Sequence, residues 1–234
     1  MKMKMKMKMK AVALTIVMLG SVPLAHSQIA INADILNANG DAAVIFTSSG
    51  ALAPLTASVT FFWYDSSVVS TIQGWTKASD WTSSALFSQN FGSLSMGAGW
   101  SSIAPGQSQG LFSGTIEPGA ISASAVGKNL AIVVTSGTEI GVFKGGELVP
   151  ANTPAPGAAT PVNFYLSDVN SAGVLVGTFL PSVDVTILGD APQTGIEAYQ
   201  LLSGNIVAIP EPSVASLLAL GTVGLVALRV RRKS

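Results

Sequence analysis

Cysteine is absent from this chain of 234 residues, and histidine occurs only once, at position 26. Without thiols there is no disulfide, no thiolate metal ligand and no cysteine nucleophile. Histidine is the side chain used most often for proton transfer near neutral pH, and it is a common zinc ligand. These absences argue against the commonest catalytic and zinc-binding sites, so we predict a protein that is not an enzyme and needs no cofactor.

Positive charge is scarce in the middle of the chain. Only Lys77, Lys128 and Lys144 lie in residues 28–208, because the other nine lysines and arginines are at the two ends. The same range carries eleven aspartates and glutamates, which gives it a net charge of −8. A surface of this sign repels phosphate backbones, and we therefore predict that nucleic acid is not a partner.

The N-terminus has the composition of an export signal. Methionine and lysine alternate over residues 1–10, and a short apolar run follows them. This order is typical of a secretory signal peptide, and the run is well short of the about 20 residues that span a membrane. Ala25 and Ser27 then place small side chains at the two positions that a signal peptidase reads. We predict that signal peptidase removes residues 1–27 by cutting between Ser27 and Gln28.

Residues 209–234 combine a proline-rich motif, an apolar stretch and a basic end, in that order. The motif is Pro210, Glu211 and Pro212, and the basic end includes Arg229, Arg231 and Arg232. The uncharged residues 213–228 between them predict a transmembrane helix. Since basic residues favour the cytoplasmic side of a membrane, the C-terminus is predicted to be cytoplasmic and the body of the protein to lie outside.

This order of features resembles the PEP-CTERM sorting signal, which membrane proteases called exosortases recognise. The resemblance covers residues 209–234 only. It implies an exosortase as a processing partner, a cut near the Pro-Glu-Pro motif, and only transient anchoring in the inner membrane. The body would then reach the cell surface or the extracellular polysaccharide. An ordinary C-terminal membrane anchor is the alternative interpretation.

The body, residues 28–208, alternates apolar and polar side chains in short stretches, as half-buried strands do. In the clearest stretch, 55–64, Val59, Phe61 and Trp63 are predicted to share one face. Other predicted strands cover residues 29–35, 43–46, 130–134, 140–143, 162–166, 174–180, 183–187 and 206–209. Many short strands bounded by turn residues predict an all-β body, either an antiparallel β-sandwich or a jelly-roll-like fold.

Three connections in the body have distinct patterns. Residues 135–138 predict the turn of a β-hairpin. Residues 75–87 lack strand alternation and are compatible with one short helix. The proline-rich residues 150–161 are either a long crossover loop or a linker between two half-domains. We favour the loop, because the residues after it are too few for a separate core.

Four oxygen-bearing side chains cluster near the beginning of the body. They are Asp34, Asn37, Asn39 and Asp41. Calcium takes carboxylate and amide oxygens from such loops, which makes this a candidate calcium site. However, the spacing differs from the EF-hand pattern, and an Asn-Gly pair between strands is the strongest short hairpin signal. We favour a plain turn and keep calcium as the alternative.

Trp75 and Trp81 lie in a polar stretch without strand alternation, which makes them the best candidates for exposure among the aromatic residues, and Asp80 lies beside them. Flat rings next to a hydrogen-bonding side chain are typical of sugar-binding sites. The alternative, which we favour, is that these rings fill the core.

The function predicted from these features is that of an exported, non-enzymatic structural or adhesive protein of the cell surface or extracellular matrix. A carbohydrate-binding module held in exopolysaccharide is the second possibility. A glycoside hydrolase is the third, since it needs only two carboxylates placed across the bond. Its candidate acids are Glu117, Glu139, Glu147 and Glu197, which lie in no recognisable motif.

Overall fold

The computed structural model describes residues 28–36, 41–100, 108–151, 160–186 and 193–204. In these residues the chain is mostly β-structure, as the alternating patterns predicted. The strands are β1 (Gln28–Asp34), β2 (Ala43–Phe46), β3 (Ser58–Tyr64), β4 (Asn90–Ser95), β5 (Ser113–Ala120), β6 (Asn129–Ser136), β7 (Glu139–Leu148), β8 (Thr160–Tyr165), β9 (Val174–Val176), β10 (Thr178–Val185) and β11 (Gln193–Gln200). Two short helices, α1 (Val69–Gln73) and α2 (Ala78–Thr82), lie between β3 and β4.

The largest sheet has five strands in the order β4-β3-β6-β7-β9, and all of its neighbours are antiparallel. Its centre is the hairpin of β6 and β7, in which Ser136 pairs with Glu139 across a two-residue turn. Gly137 begins that turn with a φ of 59°, a conformation that glycine adopts without steric cost. The hairpin predicted around residues 135–138 is therefore confirmed.

The other two sheets have three strands each, in the orders β5-β1-β8 and β10-β11-β2. Each contains one antiparallel and one parallel pair, because β1 runs parallel to β8 and β2 runs parallel to β11. The expectation of purely antiparallel sheets was thus wrong for two pairs. Parallel neighbours need a long crossover connection, and here each pair joins an early strand to one from the last third of the chain.

One face of the five-stranded sheet packs against the two smaller sheets. Phe61 of β3 meets Phe164 of β8 edge to face, with ring centroids 5.7 Å apart. Phe143 of β7 meets Tyr199 of β11 in the same way, at 5.1 Å. The hydroxyl of Tyr199 donates to the carbonyl of Leu166 at 2.9 Å, so this buried polar group is satisfied. The main hydrophobic core lies between these layers and draws on all three sheets.

The opposite face of the five-stranded sheet is covered by residues 66–89, which contain α1 and α2. Phe62 of β3 packs against Trp81 of α2 with ring centroids 4.9 Å apart, and Trp75 lies 5.7 Å from Trp81. Tyr64 and Ile72 belong to the same buried cluster. The strand β3 is therefore buried on both faces, whereas its sequence pattern predicted one buried face.

The covering segment begins at a charged contact on the surface. The Asp65 carboxylate accepts a hydrogen bond from the backbone of Ser67 at 3.0 Å, which starts a 3₁₀ turn at Ser66–Val68. The Lys128 ammonium group, which precedes β6, contacts the same carboxylate. Hydrogen bonding to Lys128 and then to Ser67 lowers the pKa of Asp65 to about 2. This contact ties the start of the covering segment to the sheet.

Three strands, β4, β5 and β11, were not predicted, and each contains a feature that breaks the alternation. In β11 this feature is Gly195, which has a φ of 76°. In β4, Phe61 pairs with Gly92 and Phe62 pairs with Asn90, so Phe91 is an extra residue in the ladder. Such a bulge shifts the side chains by one position and conceals the period of two. In β5 the sequence Ser-Gly-Thr-Ile-Glu-Pro-Gly-Ala contains one glycine early and a proline and glycine late, which are residues that disfavour strands.

Several predicted features lie outside the described residues. They are the signal segment 1–27 with Ala25 and Ser27, the strand at 206–209, and the sorting segment 209–234 with Pro210, Glu211, Pro212, Arg229, Arg231 and Arg232. The predicted transmembrane helix 213–228 is among them. Within the part of the chain that the structure describes, no helix has the length and apolar character needed to cross a membrane.

Replacing Trp81 by alanine should lower the free energy of unfolding by about 3–5 kcal/mol, because the ring is only 2% exposed and its loss leaves a cavity. Phe87→Ala is the matched control, since it removes a ring from the same segment that is 44% exposed and should cost about 1 kcal/mol. Urea denaturation followed by far-UV circular dichroism measures both. Equal losses would contradict the burial of Trp81.

Candidate functional site

The tryptophans predicted to bind sugar are part of the core. Trp75 is 6% exposed and Trp81 is 2% exposed, and both pack against the five-stranded sheet. The weaker hypothesis, in which they are exposed and bind sugar, does not fit this burial. Trp81 lies in α2, one side of which faces the sheet while the other faces solvent, and Trp75 lies in the connection between α1 and α2. The alternative interpretation, that these rings fill the core, agrees with the structure.

The Asp80 side chain caps the beginning of α2. Its carboxylate accepts hydrogen bonds from the backbone nitrogens of Thr76 and Lys77, at 2.8 and 3.2 Å, and from the Thr76 hydroxyl at 3.2 Å. The bond from the Thr76 backbone is the largest cause of a lowered pKa at Asp80. The side chain therefore satisfies helix N-terminal donors, and the role predicted for it beside two exposed rings does not fit this structure.

The candidate calcium loop is flanked by residues that reverse the chain. Leu36 and Ala42 form an antiparallel bridge, and the nitrogen of Ala43 donates to the carbonyl of Ile35 at 3.2 Å. This flanking geometry agrees with the turn that we favoured. Asn37 and Asn39 lie outside the described residues, so the four predicted ligands are not seen together.

Asp34, the first of the four predicted ligands, has structural partners. Its carboxylate accepts hydrogen bonds from the backbone nitrogen of Leu36 at 3.1 Å and from the hydroxyl of Ser113 at 2.9 Å. The described part of the chain holds no group of three or more histidine, cysteine, aspartate or glutamate side chains placed to bind a metal.

Asp41, the last predicted ligand, lines an open cleft with a volume of about 380 Å³. The cleft lies beside the beginning of β11 and is mainly polar. It is lined by Asp41, Ala42, Ser167, Pro181, Gln193, Gly195, Ile196 and Glu197. These residues come from four separate parts of the chain, and for this reason no local motif indicated them.

The cleft disfavours the ionised form of Glu197. Burial, followed by the charges of Asp41 and Asp168, raises the pKa of this carboxyl group. Glu147 does not line the cleft, but burial, with a smaller contribution from Asp168, raises its pKa as well. The hydroxyl of Ser167, which lines the cleft, is buried and has no hydrogen-bond partner among the described residues. The carboxylates of Asp41 and Glu197 are the acceptors that the cleft offers to the hydroxyl or amino groups of a small molecule.

The remaining glutamates considered for a hydrolase lie elsewhere. Glu117 is exposed on β5. Glu139, at the start of β7, accepts hydrogen bonds from the backbone nitrogen of Ser48 at 3.3 Å and from the Ser48 hydroxyl. This contact ties the loop after β2 to the central hairpin. The structure thus brings Glu197 and Glu147 near a common aspartate but does not bring Glu117 or Glu139 to them.

Comparison with known proteins adds no identity to these observations. No family model matches the chain, and neither a curated protein nor a solved structure matches it. The functional interpretation therefore depends on the residues and contacts of this chain.

Replacing Asp80 by alanine should lower the free energy of unfolding by about 1 kcal/mol at neutral pH, because it removes the acceptor for the first turn of α2. The loss should shrink in acid. A carboxylate with a lowered folded pKa stabilises above its unfolded pKa, and this contribution disappears as the pH falls through the folded value. Urea denaturation at neutral and acidic pH measures the difference. A loss that does not depend on pH would contradict a role for the charge.

Replacing Glu197 by glutamine should stabilise the protein, in contrast to Asp80→Ala. It should raise the free energy of unfolding by about 0.5–1 kcal/mol at neutral pH. A carboxyl group with a raised folded pKa destabilises when it is ionised, and this cost disappears as the pH falls through that pKa. The gain over the wild type should therefore vanish in acid. Glu139→Gln is the control, because its carboxylate is hydrogen-bonded by Ser48 and its loss should not stabilise the fold.

Proposed function

We propose that this protein is an exported, non-enzymatic structural or adhesive component of the cell surface or extracellular matrix. Signal peptidase cuts after Ser27, and an exosortase acts near Pro210, Glu211 and Pro212. Between these events the helix at 213–228 holds the body outside the inner membrane. The proposal depends on the sequence of the two ends, which resemble a secretion signal and a PEP-CTERM signal.

The position of the folded body relative to the proposed cuts is the observation that supports this proposal best. The first described strand, β1, covers Gln28–Asp34, all of which lies on the C-terminal side of the proposed signal-peptidase site. The last described strand ends at Gln200, and Leu202 still pairs with Ile140 of the central hairpin. Both proposed cuts fall outside this range. Processing at both ends would therefore leave every described strand intact.

The surface charge and the chemistry of the body agree with this proposal. Residues 28–208 have a net charge of −8, and they lack cysteine and histidine. Glu147 and Glu197 are the described carboxyl groups with raised pKa values, and both changes are caused mainly by burial. We propose a β-sandwich as the architectural class, since the five-stranded sheet packs face to face on the two smaller sheets.

Intact mass spectrometry of the protein released by its host tests the proposed processing. We expect a chain that begins at Gln28 and ends near Glu211. Replacing Pro210, Glu211 and Pro212 by alanines should leave the C-terminal segment attached and keep the protein in the membrane fraction. A full-length chain that is soluble inside the cell would refute the proposal.

The control for this experiment is Asp184→Ala, which removes an exposed carboxylate of the body from outside either signal. This variant should be exported and processed like the wild type. A processing defect shared by both variants would indicate impaired folding. The single substitution Glu211→Gln would then separate the effect of the motif from the effect of folding.

A further inference from the structure

The outer face of the sheet β5-β1-β8 is a polar surface built from three strands. The alternate residues Ile31, Ala33 and Phe164 point into the core and are buried. Their neighbours in the strands therefore point outward, since successive side chains of a strand lie on opposite faces. In the five-stranded sheet, by contrast, the face that points away from the two smaller sheets is covered by residues 66–89.

One row of side chains crosses all three strands through hydrogen bonds. Asn32 of β1 is in register with Thr115 of β5 and with Asn163 of β8. The Thr115 hydroxyl donates to the Asn32 side-chain oxygen at 3.1 Å, and the Asn32 side-chain nitrogen donates to Asn163 at 3.0 Å. Thr115 and Asn163 are exposed. These bonds fix the orientation of two amides at the surface before any ligand arrives.

A second row lies two residues further along the strands. Asp34 is in register with Ser113, whose hydroxyl donates to it at 2.9 Å, and with Tyr165 on the other side. All three side chains are half-buried. Ligand sites commonly combine an aromatic ring with a few placed polar groups, and carboxylate, hydroxyl and amide groups form hydrogen bonds with the hydroxyl groups of a sugar. The spacing of neighbouring strands, about 4.8 Å, places these groups in a regular array.

The charges on this face select among possible ligands. The strands β1, β5 and β8 contain no lysine or arginine, and they contribute the carboxylates of Asp34 and Glu117. A polyanionic chain would be repelled by this face, as by the acidic body as a whole. A neutral polysaccharide meets no such repulsion and supplies the hydroxyl groups that carboxylates and amides bind.

From this arrangement we infer that the face formed by Asn32, Asp34, Thr115, Asn163 and Tyr165 binds a neutral polysaccharide. The inference rests on the proposed function, because it names the surface and the ligand class through which an exported protein would adhere to its matrix. It replaces the predicted site at Trp75 and Trp81, which are buried.

Retention of the purified secreted protein on three neutral polysaccharides, namely amorphous cellulose, curdlan and agarose, tests this inference. Alginate, a polyuronate, serves as the charged comparison. We expect saturable binding to at least one neutral polymer and weaker binding to alginate. The double variant Thr115→Ala and Asn163→Ala should bind at least tenfold more weakly. Both substitutions lie on exposed side chains, so the thermal midpoint should remain close to that of the wild type.

The matched control is the double variant Thr178→Ala and Ser182→Ala, which removes two exposed hydroxyl groups from β10 in a different sheet. It should bind like the wild type. Equal binding by all three proteins, no binding to any neutral polymer, or a preference for alginate would each overturn the inference. None of these results would affect the export proposal, which the mass of the released chain tests separately.

Light scattering after gel filtration tests whether this face binds a second copy of the chain instead of a polysaccharide. A monomer at all concentrations supports a free surface. A dimer that is dissociated by Thr115→Ala and Asn163→Ala would assign the face to self-association and overturn the polysaccharide inference.

Discussion

The five-stranded sheet is buried on both faces, and the other layers are arranged to cover it. Phe61 and Phe62 are adjacent in β3, and both are fully buried, one against the two smaller sheets and one against residues 66–89. Each buried aromatic or large aliphatic side chain contributes about 1.5–3 kcal/mol. A central strand with two apolar faces therefore requires a cover on each side, and the chain supplies sheets for one and short helices for the other.

This constraint determines where functional groups can lie. Because the helical segment takes up Trp75 and Trp81, the large rings of that segment serve packing. Polar side chains in regular order lie on the outer face of β5-β1-β8, where Thr115 and Asn163 are exposed. The acidic cleft at the start of β11 lies where β10, β11, the residues before β2 and Ser167 meet.

Local patterns were sufficient to predict much of the fold. The stretches 43–46, 130–134 and 140–143 alternate or run apolar between turn residues, and each lies within a strand. Their side-chain period depends only on neighbouring residues, so it is visible in the sequence. The bulge at Phe91 and the parallel pairing of β1 with β8 were not predictable in this way. The first hides the period, and the second joins residues about 130 positions apart along the chain.

The β-rich class of the body, its charge and the chemical character of the two ends could be predicted from the sequence, because these depend on composition and on short-range order. Which aromatic rings are accessible and which polar groups act together depended on the three-dimensional packing. Asn32 and Asn163 are 131 positions apart, yet they share a hydrogen bond, while Trp81 and Asp80 are adjacent and have separate roles. The physical reason is that exposure and proximity are set by which layers pack on each other, and that packing is a property of the whole chain.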